Sequence, residues 1–332
     1  MRPRPKAQSA SLFAATCFGV IALIAPPARA FCRAFTEGPP QGYDPTQGCF
    51  APTAPEAKLV FWRGTCTAYT LQQDTPADIS FEKADAAIAR AFKAWSDVEC
   101  PGGGHPSIGV ENLGPVACSL VEYNNPQPNQ NVFVFRGDGW PHRDPANPLG
   151  LTTLHFEKTT GEIYDADVEL NASDFILVTD GTATPGTYQL DTVITHEVGH
   201  FLGLAHATVA TSLMWANYQP GAATIAQDDI EGICAIYPPN GTRSTTDGVV
   251  AKSACDPKPR HGFSSQCGST MPAVTPPAEE PAKGGCSMAS ASPPAAPSPW
   301  AMPYALLATG ALLRRNRRPA KAARAAPKRS TS

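Results

Sequence analysis

The sequence predicts an α+β domain over residues 57–238, and three observations predict it. "ISFEKADAAIARAFKAWSDV" places Ile79, Phe81, Ala84, Ile88, Phe92 and Trp95 at helical spacing. Several short segments rich in β-branched and aromatic residues read as strands instead. A second apolar-periodic stretch, with Leu190, Val193, Ile194 and Leu202, carries "HEVGHFLGLAH" in a chain that has only seven histidines.

The elements follow in order. "KLVFWRGTCTAYTL" is strand-like, and Ser80 can cap the helix that comes next. Lys83 stands where a capping box would put Glu, so that box is incomplete. "PSIGVENL" and "NVFVFR" read as two more strands, and "LGLTTLHF" and "GEIYDADVEL" as a further pair separated by "EKTT". A loop from 171 to 186 leads into the histidine-bearing helix, and "TIAQDDIEGICAIY" closes the domain as a short amphipathic helix.

The flanks differ from this core. Arg2, Arg4 and Lys6 precede the apolar run "LFAATCFGVIALIA", and Ala28-Arg29-Ala30 follows, which reads as a signal peptide over residues 1–30. Residues 31–56 form a Cys- and Pro-rich N-terminal segment. Residues 239–285 read on composition as a Pro/Ser/Thr-rich linker, and 286–332 as a C-terminal tail with an apolar run and a basic end. Trp300–Leu313 is short for a membrane span, so only transient membrane contact through the tail is expected. The whole chain has 26 Lys and Arg against 29 Asp and Glu; four of the basic residues lie in the leader and eight in the tail. The part between them is acidic, near −15, which argues against nucleic acid as a partner.

Apart from Cys17 in the leader and Cys286 in the tail, eight cysteines remain: Cys32, Cys49, Cys66, Cys100, Cys118, Cys234, Cys255 and Cys267. An even set in an exported chain suggests up to four disulfides. Sequence does not fix the connectivity. Short separations favour Cys32–Cys49, Cys100–Cys118 and Cys255–Cys267, leaving Cys66–Cys234.

The histidine cluster has a chemical reading. Residues four apart share a helix face, so His196 and His200 can present imidazoles to one point. A catalytic zinc takes three protein ligands at about 2.0–2.1 Å from imidazole nitrogen and keeps a position for water. A straight helix would carry His206 past the metal, whereas Gly203 can take positive φ and let the chain return it. Glu197 lies beside the pair without ligating, where a carboxylate can act as general base on a zinc-bound water.

With H-E-x-x-H-x-x-G-x-x-H in place, the sequence resembles the metzincin zinc endopeptidases. Met214, eight residues after His206, stands where the family has its Met-turn, and that separation resembles the matrixin branch. Tyr218 matches the matrixin tyrosine that lines the pocket for the residue after the cut, whereas Ala216 lacks the tyrosine of the astacin and serralysin branches. The pair Asp228-Asp229 resembles the start of the last matrixin helix. Ala207 and the Ala216-Asn217 pair depart from the matrixin pattern, and no propeptide motif of the family occurs.

The resemblance implies a twisted, mostly parallel sheet on helices, with the active-site helix above the Met-turn. It implies a secreted or surface-tethered zinc endopeptidase acting as a monomer on protein or peptide substrates, with one catalytic Zn2+. The substrate would pair as an added strand on an edge strand at 150–156, with Leu154 in the pocket. Asp165, Asp167 and Glu169 would either bind Ca2+, as in relatives, or stand as solvated acids on one strand face. His142, Asp144 and His155 are the only remnants of a second zinc site, so none is expected. The alternative from another class is a surface-binding module that keeps the fold but has lost activity; a narrower alternative is a peptidase with one partner. Gly285-Cys286-Ser287, the apolar run and the Arg-rich end together resemble the sorting tails of myxobacterial surface proteins, which are processed near the cysteine.

Overall fold

The computed structural model describes residues 31–142, 147–181, 183–221 and 224–266, and the backbone alone of 282–289. The expected leader, Asp144, Cys267 and the tail from residue 290 lie outside the described residues.

In chain order come β1 (Cys32–Arg33), β2 (Cys66–Gln72), α1 (Phe81–Asp97), β3 (Gly109–Val116), β4 (Val132–Phe135), β5 (Pro148–Phe156) and β6 (Ile163–Leu170). Then follow β7 (Ile176–Val178), β8 (Thr187–Gln189), α2 (Leu190–Phe201), β9 (Leu204–Ala205), α3 (Gln227–Ile236), β10 (Arg243–Thr245), β11 (Gly248–Val250) and β12 (Ala282–Ala289). Six strands form the main sheet in the order β12-β5-β6-β4-β2-β3. β2, β3, β4 and β6 pair in parallel, while β5 runs antiparallel to β6. The mixed sheet with few helices is consistent with the α+β expectation.

Burial follows from that order. β2 lies between β4 and β3 and pairs in parallel with both, so it is buried along its whole length, whereas β3 at the edge is largely solvated. α1 starts where Ser80 accepts a hydrogen bond from the Lys83 amide, and it buries Ala84, Ala87, Ile88, Ala91, Phe92 and Trp95. That stripe packs on α2 and on the sheet. Phe92 stacks on Tyr69 at 4.9 Å between ring centroids and meets Phe201 of α2 edge-on at 5.1 Å.

Two sequence expectations are corrected here. Cys32–Cys49 forms as its short separation suggests, but Cys66 pairs with Cys255 and Cys100 with Cys234. Cys118 is also disulfide-bonded. The other two short pairings, Cys100–Cys118 and Cys255–Cys267, failed because the fold brings distant segments together: Cys66 and Cys255 are 189 residues apart. The stretch after Pro238, read as linker from its composition, also begins as part of the fold. Arg243 is fully buried and donates to the carbonyls of Trp62 (2.9 Å), Ser107 (2.9 Å) and Gly64, and to Ser107 Oγ (2.8 Å). Its guanidinium lies 4.8 Å from the centre of the Tyr237 ring. A low count of apolar residues missed this, because carbonyl dipoles and a disulfide hold the segment in place of a hydrophobic stripe.

Candidate metal centre

α2 is anchored before it carries any chemistry. The last carbonyls of a helix lack partners within it. Here Trp62 Nε1 donates to the Phe201 carbonyl (2.8 Å) and the Tyr237 hydroxyl to that of Leu202 (2.9 Å). Trp95 Nε1 from α1 holds the Thr195 carbonyl at 2.8 Å. The helix therefore ends at a fixed place, and Gly203 turns the chain there with φ +96° and its N–H on the His200 carbonyl (2.9 Å). A Cβ at Gly203 would also sit 3.0 Å from the Val60 carbonyl oxygen, so both conformation and space call for glycine.

The turn returns His206 to the helix. Ring centroids of His196, His200 and His206 lie 4.7, 5.3 and 4.8 Å apart pairwise. His196 Nδ1–H donates to the Leu213 carbonyl (2.7 Å), and His200 Nδ1–H to that of Leu204 (2.9 Å). Those bonds fix the tautomers and leave both Nε2 atoms as lone-pair donors toward one point. Burial holds His196 as neutral imidazole, its pKa pushed down to about 3, with His206 adding to the effect. His200 is also held well below the ordinary value, first by burial.

Zinc fits this donor set on two observations. His200 Nε2 and His206 Nε2 are 3.3 Å apart, and two imidazoles bound tetrahedrally at about 2.0–2.1 Å would stand roughly 3.3–3.4 Å apart. His196 Nε2 is fully buried and has no hydrogen-bond partner, which is costly for a polar atom unless a ligand takes its lone pair. Among the described residues these three are the only group of three or more ligand side chains gathered closely enough for a metal.

Glu197 is fully buried beside the triad. Thr152 Oγ1 on β5 donates to its Oε2 at 2.7 Å. Gly150 on the same strand lies so close that a Cβ there would sit 2.8 Å from Glu197 Oε1. The carboxylate is thus packed against β5 and oriented by a hydroxyl. Below the triad, a Cβ on Gly199 would collide with Met214 Sδ. Asp229 of α3 organises the Met214 segment: it accepts from the amides of Leu213 (2.8 Å), Met214 (3.2 Å) and Ala226 (2.8 Å) and from Ser212 Oγ.

The remaining sequence candidates are placed as follows. Tyr218 is buried, its hydroxyl accepts from the Gln189 amide (3.0 Å), and it meets Tyr188 edge-on at 4.9 Å. Leu154 is part of the core. Asp165, Asp167 and Glu169 are buried on β6, which overturns the solvated-acid alternative. Each has its own neighbour. Asp165 lies 3.3 Å from His155 Nδ1, Asp167 accepts from the Val132 amide (2.9 Å), and Glu169 holds Arg136 (2.5 Å) and His142 (2.6 Å). Sequence reasoning missed Thr152, Gly150 and the role of Asp229. A glycine inside the strand "LGLTTLHF" was the available signal, since interior glycines mark close approach of another group; nothing in the sequence marked Thr152.

Comparison with known proteins agrees with this geometry. Residues 135–238 match the matrixin family model (peptidase M10). The match spans β5, β6, α2, the three histidines and α3, and it supports a matrixin-like catalytic domain. Similar proteins include the interstitial collagenases of Oryctolagus cuniculus, 32% identical over 201 residues, and of Sus scrofa, 31% identical over 201 residues. In both cases the alignment covers 59% of this chain and 37% of the relative. The neutrophil collagenase of Homo sapiens is 27% identical over 201 residues, again 59% of this chain and 37% of the relative. The chain therefore spans little more than a third of the length of these relatives. A matrixin-like domain implies a catalytic zinc and a metalloendopeptidase type of function.

Proposed function

We propose that this protein is an exported, secreted or surface-tethered zinc endopeptidase that cleaves protein or peptide substrates. The observation that carries the reading is the convergence of the His196, His200 and His206 imidazoles beside a buried, oriented Glu197. A bound Zn2+ supplies the Lewis acidity that brings water's pKa toward roughly 7. The chain's own residues do the rest. Glu197 takes the proton of the attacking water and gives it to the leaving amine, while Thr152 keeps the carboxylate in place. Met214 and its Asp229-held backbone form the floor under the ligands. Tyr218, fixed through Gln189 and Tyr188, walls the pocket for the side chain after the cut. Residues 286–332 serve as a tail processed near Cys286, which C-terminal mass spectrometry of the native protein tests.

Metal analysis and a peptide-library cleavage assay on the purified, zinc-loaded protein test the main reading. One zinc per chain and chelator-sensitive cleavage are expected. Stoichiometric zinc with no cleavage of any library member would leave a binding module that keeps the fold.

A further inference from the structure

β9 carries more of the metal site than its length suggests. Its first residue, Leu204, supplies the carbonyl that accepts from His200 Nδ1–H at 2.9 Å. Its second, Ala205, directly precedes His206. The strand therefore fixes the tautomer of one imidazole and the placement of another. Two residues cannot hold such a strand by themselves, since even an isolated hairpin is marginal in water. Another part of the chain must fix β9.

The Cys- and Pro-rich N-terminal segment does so. β1 pairs antiparallel with β9, with Cys32 opposite Ala205 and Arg33 opposite Leu204. The next residue, Ala34, donates its N–H to the Gly203 carbonyl at 3.0 Å, on the turn that returns His206. β1 is itself held from several sides. Arg33 donates to the carbonyls of Ser244 (2.7 Å) and Val60 (3.3 Å), and the Val60 N–H donates to the Ala34 carbonyl (3.0 Å). Cys32 is buried and disulfide-bonded to Cys49. Cys49 belongs to a loop closed on itself. There Glu37 accepts from the Ala54 N–H (2.8 Å) and the Thr53 hydroxyl (2.8 Å), and Phe50 meets Phe35 and Tyr43 edge-on. The disulfide ties β1 covalently to that loop.

We propose that β1 and the Cys32–Cys49 disulfide are a positioning element for the metal site: they hold the segment from Leu204 to His206 in its zinc-binding arrangement before the metal arrives. Cys32 and Ala34 do not touch the metal; they act through Leu204, Gly203 and His206. Removal of the expected leader leaves β1 beside the new chain end, and chain ends fray unless tied down. Without the tie, zinc itself would have to order the segment, and that ordering is subtracted from its affinity. This rests on the zinc-endopeptidase reading, to which it adds a role for the segment that precedes the domain.

The test measures zinc affinity by chelator competition on the full chain. One variant, Cys32→Ala with Cys49→Ala, removes the disulfide. A second, Ala34→Pro, keeps the disulfide and removes the N–H that holds the Gly203 carbonyl; it carries the test alone if the first does not fold. The control, Cys66→Ala with Cys255→Ala, removes a disulfide that closes a far longer loop, of 189 residues, and neither of its halves pairs with β9. Loss of groups that orient metal ligands costs roughly 10–100-fold in metal affinity, so the β1 variants should bind zinc at least tenfold more weakly than wild type. With Co2+ in place of zinc, their visible d–d absorption should also differ from that of the wild type. The control should lose Tm but keep the wild-type zinc affinity. Wild-type affinity in the β1 variants overturns the positioning element and leaves the peptidase reading standing. Equal weakening in the control overturns it as well, because zinc affinity would then simply follow global stability. A wild type that takes up no zinc brings down the zinc reading itself, and the positioning element with it.

Discussion

The histidines of α2 and the acids of β6 look alike in the sequence. Each is a short run of ligand-type residues, His196, His200 and His206 in one case and Asp165, Asp167 and Glu169 in the other. The structure treats them differently. A helix puts residues four apart on one face about 5–6 Å apart, where two side chains can meet at a point. A glycine turn then adds the third imidazole, which brings two Nε2 atoms to 3.3 Å. A strand puts alternate residues on one face roughly 6.5–7 Å apart, all pointing the same way. The acids on β6 therefore form a ladder in which each carboxyl finds a separate neighbour: His155, the Val132 amide, or Arg136 with His142. A run of ligand-type residues makes a metal centre only when the backbone geometry makes side chains converge.

The largest effect should come from breaking the convergent site at its chemistry. Glu197→Ala should lower peptide cleavage at least 10²-fold, within the roughly 10²–10⁴-fold range for a general base, with zinc content unchanged. His200→Ala should lose zinc and activity together. Atomic absorption alongside a cleavage assay separates the two. Substantial turnover by Glu197→Ala would show that the proton goes elsewhere.

The turn itself is the next target. Gly203→Ala puts a Cβ on a residue with φ +96° and within 3.0 Å of the Val60 carbonyl. Backbone strain of about 1–3 kcal/mol follows. Because Gly203 aims His206, the strain should appear as weaker zinc binding, read by chelator competition, rather than only as a lower Tm. Unchanged zinc affinity would mean that the loop from 204 to 206 adapts independently of the turn.

A smaller effect is expected at Thr152. Thr152→Val keeps the shape and removes the hydroxyl that holds Glu197 Oε2. A lost hydrogen bond to a charged group corresponds to about 1.5–3 kcal/mol, so kcat should fall roughly 10- to 150-fold with zinc content intact. A variant with normal kcat and raised KM would instead assign Thr152 to substrate binding.

The sequence made the convergent site legible because all its instructions are local. His196, Glu197, His200, Gly203 and His206 fall within eleven residues, and helix geometry plus one φ > 0 residue suffices to assemble them. α1 was legible for the same reason, with Ser80 as its cap. What sequence could not show was long-range. Thr152 reaches Glu197 across 45 positions, and Arg243 reaches Trp62 across 181. The same holds for Cys66–Cys255 and for β12, whose place on β5 no short-range pattern specifies. Burial of the β6 acids was also hidden: alternation shows which residues share a face but not which face is covered, and here Tyr123 stacks on His155, the register partner of Asp165, on that face.

The subtlest test asks whether the ladder is neutralised by protons or by a cation. Burial and the neighbouring Asp165 push the Asp167 carboxyl well above the ordinary range. In the unfolded chain the same group titrates near its reference value of about 3.9. As pH rises from there, the unfolded state ionises first and gains solvation that the folded state lacks, so stability is lost until the raised folded pKa is passed. Asp167→Asn keeps an oxygen for the Val132 amide and cannot ionise. The Tm of Asp167→Asn relative to wild type should therefore climb between pH 4 and pH 8, the other titrations cancelling in the difference. A relative Tm that falls over that range, and recovers when a chelator is added, would mean that a bound cation holds Asp167 ionised. The ladder would then be a second metal centre built without convergence on one element, and the distinction from α2 would fail.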